Sequence, residues 1–170
     1  LDLLTPKQSK KSHKIQLTTL AEINTENLSA VVNTLTLNID NTTHTGYGSW
    51  DGSQAQASLT LKKLPLEMIS IWFKPIDSGS ITGELSAKGT ITQGKLQNLQ
   101  WSVNSELNTR YQKVPVFTKI IAQGSQDFFK INTLNIKSNH SKISASGDVD
   151  IQGNASAIVF SIENLGTDLI

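Results

Sequence analysis

The feature that most constrains the fold of this chain is an alternation of apolar and polar residues that runs through most of its length. Leu35, Leu37 and Ile39 alternate with polar residues, and the same alternation recurs in residues 81–91, 99–103, 143–151 and 158–162. Successive side chains of a β-strand point to opposite faces of the sheet, whereas a helix repeats every 3.6 residues. The pattern therefore predicts antiparallel strands with one apolar face and one face in water.

Short turn sequences separate these segments. We assign turns to Asp51-Gly52, Asp77-Ser78-Gly79, Gln93-Gly94 and Gln152-Gly153, where glycine supplies the backbone conformation that tight hairpins need. Connections this short join strands that are neighbours in the sheet, so they predict a meander.

Helix signals are few. Residues 65–73 have a proline near their start and Pro75 beyond their end, and residues 116–122 carry a second, weaker helical pattern. We expect an all-β fold with one or two short helical turns.

Length and composition indicate one domain. The 170 residues are enough for a single core. Charged residues make up only 17% of them, compared with about 25% in an average globular protein, and uncharged polar residues take their place. Residues 1–14 are basic and lack the alternation, which predicts a flexible arm, while residues 15–170 form the β domain. Because the chain opens without Met or a signal sequence, we expect a fragment of a longer protein.

An internal repeat is visible within the β domain. Asn33-Thr34-Leu35-Thr36-Leu37 matches Asn132-Thr133-Leu134-Asn135-Ile136, 99 residues further on, and residues 59–64 match residues 160–165 at an offset of 101. Self-similarity at a fixed spacing is typical of stacked architectures. We predict two related repeats, at about residues 33–69 and 132–170.

Charge and cysteine content exclude several functions. The net charge of +1 gives no concentrated basic surface for nucleic acid, and the absence of Cys excludes disulfides, thiol catalysis and Cys-ligated zinc. No apolar run approaches the roughly 20 residues that span a bilayer.

No catalytic, metal or cofactor site emerges from the motifs. His13, His44 and His140 lie far apart among polar residues, and Asp148 and Asp150 lack the further acidic ligands of a calcium site. The glycines of residues 46–52 precede a turn and a strand, whereas a nucleotide-binding glycine loop precedes a helix. We therefore expect no cofactor, no metal and no enzymatic activity.

The chain resembles the TamB family over residues 33–170. The resemblance rests on GYGSWDG at residues 46–52, LKKLPLEMI at 61–69 and KPIDSGSITGELSAKGTITQGKL at 74–96, above all on Leu64-Pro65-Leu66 and the alternating residues Gly83, Leu85, Ala87 and Gly89. The N-terminal arm and residues 114–127 have no counterpart in that pattern. TamB is the inner-membrane-anchored subunit of the translocation and assembly module of Gram-negative bacteria, related to AsmA-like and bridge-type lipid-transfer proteins.

The resemblance implies an elongated antiparallel sheet folded lengthwise, a β-taco, with an aliphatic groove inside. Such a groove would carry phospholipid acyl chains across the periplasm or receive unfolded outer-membrane β-strands. An Omp85-type, TamA-like partner in the outer membrane would bind other parts of the parent protein. The function implied is phospholipid transport toward the outer membrane and support of outer-membrane protein assembly.

Alternation along each strand selects the residues that would line this groove. They are Ile15, Leu17, Leu35, Leu37, Ile39, Leu59, Leu61, Ile81, Leu85, Ile91, Leu99, Trp101, Val103, Leu134, Ile136, Ile143, Val149, Ile151, Ile158, Phe160 and Ile162.

Two other interpretations of the same residues stay open. A filled β-sandwich would bury the same apolar faces as an ordinary core. A bacterial surface adhesin or carbohydrate-binding β-module would use Trp50, Trp72 and Trp101 as sugar platforms, although the alternation places Trp101 on the apolar face. Tyr47 and Trp50 fit either hairpin packing or a groove entrance.

Overall fold

Ten strands form one antiparallel sheet in which every strand pairs with its neighbours in sequence, in the order β1 to β10. The structure, a computed structural model, describes residues 14–68, 78–111, 113–152 and 156–164. The strands are β1 Ile15–Asn24, β2 Ser29–Ile39, β3 Thr42–Trp50, β4 Gln54–Pro65, β5 Ser78–Thr92, β6 Lys95–Tyr111, β7 Val114–Ser125, β8 Phe128–Lys137, β9 Lys142–Asp150 and β10 Ala157–Glu163. The all-β fold is confirmed.

The hairpin turns follow from local chemistry. Gln93 and Gly94 join β5 to β6 with φ angles of 52° and 72°, the left-handed pair that suits the twist of a two-residue hairpin. Asp51 begins the turn between β3 and β4, where its Oδ1 accepts hydrogen bonds from the backbone N–H groups of Ser53 at 3.0 Å and Gln54 at 2.6 Å. These bonds lower the pKa of the Asp51 carboxyl.

Two local predictions were wrong. Residues 116–122 are not helical but lie inside β7, which pairs with β6 on one side and β8 on the other, so ladder hydrogen bonds override a weak helical pattern. Of the turn predicted at Asp77-Ser78-Gly79, Asp77 lies outside the described residues, and Ser78 and Gly79 begin β5, where they pair with Arg110 and Thr109.

The helix expected at residues 65–73 is reduced, in its described part, to a 3₁₀ turn at Leu66–Met68. Residues 69–73 lie outside the described residues, as do residues 1–13 of the predicted arm, residue 153 of the last predicted turn and residues 165–170 of the second predicted repeat.

Strands β1–β4 and β7–β10 pair in the same register. Leu35 pairs with Gly46 and Leu134 pairs with Ala145, 99 residues further along both strands. Leu59 opposite Gly46 corresponds to Phe160 opposite Ala145. The correspondence also includes β1 and β7, since Ala21 opposite Val32 corresponds to Ala122 opposite Ile131. Strands β5 and β6 stand between these two four-strand units.

Each four-strand unit contains the same β-bulge. In β2 the register shifts between Val32 and Leu35, and in β8 it shifts between Ile131 and Leu134. The extra residue lets the aliphatic side chains before and after each bulge point to the same face of the sheet. Another shift lies in β4 between Leu61 and Leu64, where Lys63 adopts a φ of 51°.

The sheet is open, with its faces not covered by a second sheet. Within the described part of the chain, extensive contacts join only strands adjacent in the sheet, besides contacts of β5 with the 3₁₀ turn. A filled two-sheet sandwich is therefore not the architecture described.

Candidate functional site

The candidate site is the apolar face of the sheet, where three rows of mostly aliphatic residues cross the strands. The central row, followed from partner to partner, is Leu35, Gly46, Leu59, Leu85, Val103, Ala122, Ile131, Gly147 and Ile158. It crosses nine strands, which at about 4.8 Å per strand corresponds to about 38 Å.

Two further rows run beside the central one. One contains Leu61, Gly83, Ser105, Ile120, Leu134, Ala145 and Phe160, and the other contains Leu64, Ile81, Leu107, Thr118, Ile136, Ile143 and Ile162. We call these three rows together the apolar band. Its side chains are almost all aliphatic, so it offers contacts suited to hydrocarbon and few groups that select a polar ligand.

The opposite face of the sheet is polar. Ser86 and Ser102 share a hydrogen bond of 2.7 Å between their hydroxyls across β5 and β6. The Nζ of Lys119 lies 3.2 Å from Oε1 of Glu106, and the Nζ of Lys130 lies 3.4 Å from Oδ1 of Asp148. Polar side chains can hydrogen-bond to water, so this face has no need of a covering layer.

Exposure along the apolar band changes from the middle of the sheet to its edges. Leu61 and Ala122 are 8% and 7% exposed, but Phe160 and Ile162 in β10 are 65% and 59% exposed, and Leu17 in β1 is 62% exposed. Inner side chains have a strand on both sides and are buried or half-buried, except Leu85 at 38% exposed, whereas edge side chains have a neighbour on one side only. The apolar band therefore reaches the β10 edge with its side chains uncovered, and the apolar face continues uncovered into β1.

His44 is the one titratable side chain completely buried in the described part of the chain. Its Nδ1 accepts a hydrogen bond from the backbone N–H of Lys62 at 3.0 Å, beside the β4 bulge. Its Nε2 lies 3.2 Å from the hydroxyl of Thr42, which donates to the carbonyl of Ile39. An Nδ1 that accepts requires the neutral ring with the proton on Nε2. Burial lowers the pKa of His44, which favours that neutral form.

The structure brings the predicted lining residues of the strands to one face. In the three rows lie Leu35, Leu59, Leu61, Ile81, Leu85, Val103, Leu134, Ile136, Ile143, Ile158, Phe160 and Ile162. Ile15, Leu17, Leu37, Ile39, Trp101 and Val149 flank them on the same face, and Ile91 continues it beyond the register shift of β5 and β6. Leu99 lies within that shift, between the paired residues Gln97 and Gln100. Ile151 differs, because it lies in the turn after β9 and is 62% exposed.

Several residues of this face escaped the sequence prediction. Val32, Leu64 and Ile131 sit next to bulges, so a strict two-residue alternation counted from Leu35, Leu61 or Leu134 assigns them to the wrong face. Ile120 and Ala122 lie in β7, whose run of adjacent apolar residues conceals the alternation. The positive φ of Lys63 has no signal in the sequence.

The two tryptophans in the described part of the chain both lie on the apolar face. Trp101 lies on the apolar face between Ala87 and Gly124. Trp50 lies between Ala30 and Ala55 on the same face, with its Nε1 buried and lacking a hydrogen-bond partner. Tyr47 points to the polar face and is 46% exposed, and Trp72 lies outside the described residues.

No protein family, curated protein or solved structure matches this chain. Among the residues described, no three His, Cys, Asp or Glu side chains come together where a metal ion could bind. The described residues also contain no helix that is long and apolar enough to cross a membrane.

Proposed function

We propose that this chain is a segment of a TamB-like, periplasm-spanning protein and that its apolar band holds phospholipid acyl chains on their way to the outer membrane. The parent protein would be anchored in the inner membrane of a Gram-negative bacterium and support outer-membrane protein assembly through a TamA-like partner. The role is transport without catalysis.

One observation carries this proposal: three adjacent aliphatic rows run across the sheet without a covering layer. Exposed apolar surface of this extent marks an interaction surface in a soluble domain. Each CH₂ group transferred from water to such a surface contributes about 0.8 kcal/mol, so a long acyl chain gains on the order of 10 kcal/mol.

The proposal also concerns the shape of the sheet. We propose that the sheet folds lengthwise into a β-taco, with the apolar band on the inside of the fold. The small side chains of Ala122 and Ala145 and the glycines at positions 46, 83 and 147 alternate with Leu and Ile in the band. Unfolded outer-membrane β-strands are the alternative occupant of the same groove.

The carbohydrate-binding alternative has less support. It needs exposed aromatic rings on a polar surface, and Trp50 and Trp101 both lie on the apolar face.

Site-specific photo-crosslinking tests the proposal. A photoreactive residue replaces Leu85, which is in the central row and 38% exposed, and in a matched variant it replaces Ser86, the next residue of β5, on the polar face. Each purified protein is illuminated with vesicles of phosphatidylethanolamine and phosphatidylglycerol, and adducts are identified by mass spectrometry. We expect lipid adducts at position 85 and none at 86.

Equal adducts at both positions, or none at either, would contradict an acyl-chain groove on this face. Peptide adducts at position 85 after incubation with an unfolded outer-membrane protein, without lipid adducts, would favour the strand-binding alternative.

A further inference from the structure

The outer edge of β10 lacks a partner strand among the described residues, and the molecule itself contains the pattern for one. β10 corresponds to β4 in register, and β4 is paired on that side with β5. We infer that the outer edge of β10 is a binding site for an antiparallel strand of the β5 type, in the register in which β5 binds β4.

Exposure shows what is missing at this edge. Leu61 in β4 is 8% exposed beside β5, whereas its counterpart Ile162 in β10 is 59% exposed. Phe160, the counterpart of Leu59, is 65% exposed. Leu59 and Phe160 have equivalent small neighbours on their other side, Gly46 in β3 and Ala145 in β9. The difference between the two strands therefore arises mainly at the side where β5 stands in one unit and no described strand stands in the other.

The residues of β10 give the edge little protection against pairing. Sheet edges are usually blocked by lysine, proline or inward-pointing charges. The strand β10, AIVFSIE, has only Glu163, at its end, and this carboxylate bonds to Lys142 of β9 at 2.8 Å. Val159 is 68% exposed on the other face, so β10 offers apolar side chains on both sides.

The β4–β5 ladder specifies the chemistry of the partner. There Ala87 lies opposite Ala57, Leu85 opposite Leu59, and Gly83 opposite Leu61. Translated to β10, the partner places an aliphatic residue opposite Phe160 and a small residue opposite each of Ile158 and Ile162. In the β4–β5 ladder the residues opposite Ala57 and Leu61 are Ala87 and Gly83, so an alternation of small and aliphatic residues on one face is the pattern that this register provides.

The occupant is thus an extended strand with small and aliphatic residues alternating on its apolar face, extending the apolar band by one strand. Pairing at this edge uses backbone hydrogen bonds and does not require the band to hold acyl chains. The two proposals can therefore fail independently.

A labelled peptide with the sequence of β5, SGSITGELSAKGTIT, tests this inference on the full 170-residue chain. Binding is followed by fluorescence anisotropy, and the site is located by a photoreactive residue at position 160 of the protein, with position 20 in β1 as the comparison. We expect saturable binding and peptide adducts at position 160. A control peptide with Leu85→Pro loses a backbone donor and should not bind.

Charge substitutions in the protein provide the matched pair. Phe160→Lys places a charge on the edge of β10, and Leu17→Lys places one on β1 at nearly the same exposure, 62% against 65%. We expect Phe160→Lys to weaken peptide binding roughly tenfold or more, because it removes a large apolar contact, and Leu17→Lys to leave it unchanged. Circular dichroism verifies that both variants fold.

Absence of saturable binding, equal weakening by both substitutions, or adducts at position 20 rather than 160 would each overturn the inference. Concentration-dependent self-association that Phe160→Lys abolishes, without binding of the β5 peptide, would overturn it as well, since a second copy and not a β5-type strand would then occupy the edge.

Discussion

The two four-strand units, β1–β4 and β7–β10, share a register but not an environment. Each unit has one inner boundary, where it pairs with the β5–β6 hairpin: β4 pairs with β5, and β7 pairs with β6. A strand at an inner boundary is more buried than its counterpart at an outer boundary: Ala122 of β7 is 7% exposed, but its counterpart Ala21 belongs to the edge strand β1, which is exposed throughout. Burial in this sheet therefore depends on neighbouring strands more than on the identity of the residue.

The largest effect should come from truncating equivalent residues in β4 and β10. Leu61→Ala leaves a cavity at a buried position and should lower the free energy of unfolding by about 2–4 kcal/mol. Ile162→Ala removes a side chain that is 59% exposed and should cost about 1 kcal/mol or less. Urea unfolding measures both. Equal losses would mean that β10 is as well covered in solution as β4.

The buried histidine should make the contribution of the first unit to stability depend on pH. His44 corresponds to Ile143, so His44→Ile gives the first unit the residue of the second. Burial lowers the pKa of His44 in the folded state below its ordinary value of 6.5. Because the unfolded chain then binds the proton more readily, this contribution to stability is complete above about pH 6.5 and is lost as the pH falls from there through the folded-state pKa.

We expect the free energy of unfolding of the unmodified chain to decrease on acidification from pH 7 to pH 5, with a slope of at most about 1.4 kcal/mol per pH unit from this one proton. In His44→Ile that slope should disappear. Protonation of Asp51 affects the free energy of unfolding only at lower pH, because its pKa is lowered from 3.8. Denaturant unfolding at several pH values tests the expectation, and identical profiles for the two proteins would show that His44 does not titrate on unfolding.

The smallest effect concerns an ion pair that only the second unit has. Lys142 and Glu163 are 2.8 Å apart, and their counterparts in the first unit are Thr43 and Lys62. Both side chains are about half exposed, so Glu163→Gln should change the free energy of unfolding by about 0.5 kcal/mol or less. Unfolding curves in low and high salt test this, since a genuine ion pair loses its contribution as salt rises. A loss that persists in high salt would point to a packing role instead.

The sequence was sufficient for the all-β class and for most of the apolar face, because alternation is a local property of each strand. It failed where a single residue changes the register. The bulges at Val32 and Ile131 invert the alternation, and only pairing with the adjacent strands shows on which side each extra residue is accommodated. Strand β7 escaped prediction for a related reason, since pairing on both sides stabilises a segment whose own pattern is ambiguous.

His44 shows what sequence cannot supply. Its neighbours in the chain are threonines, which suggest an exposed strand, and the partner that defines its role, the backbone of Lys62, is 18 residues away. A buried polar residue on an apolar face is recognisable only when the donor that satisfies it is in place.

The order of the strands in the sheet, which is their order in the chain, has a consequence for how the protein acquires its structure. In the described part of the chain every strand pairs with its neighbours in sequence, so no strand pairing awaits the arrival of a distant segment. Sheets with such local pairing avoid the loop-closure entropy that slows most all-β proteins. A chain of this kind can assemble progressively while it is still emerging from the ribosome or a translocation pore, each new hairpin using the last completed strand as its template.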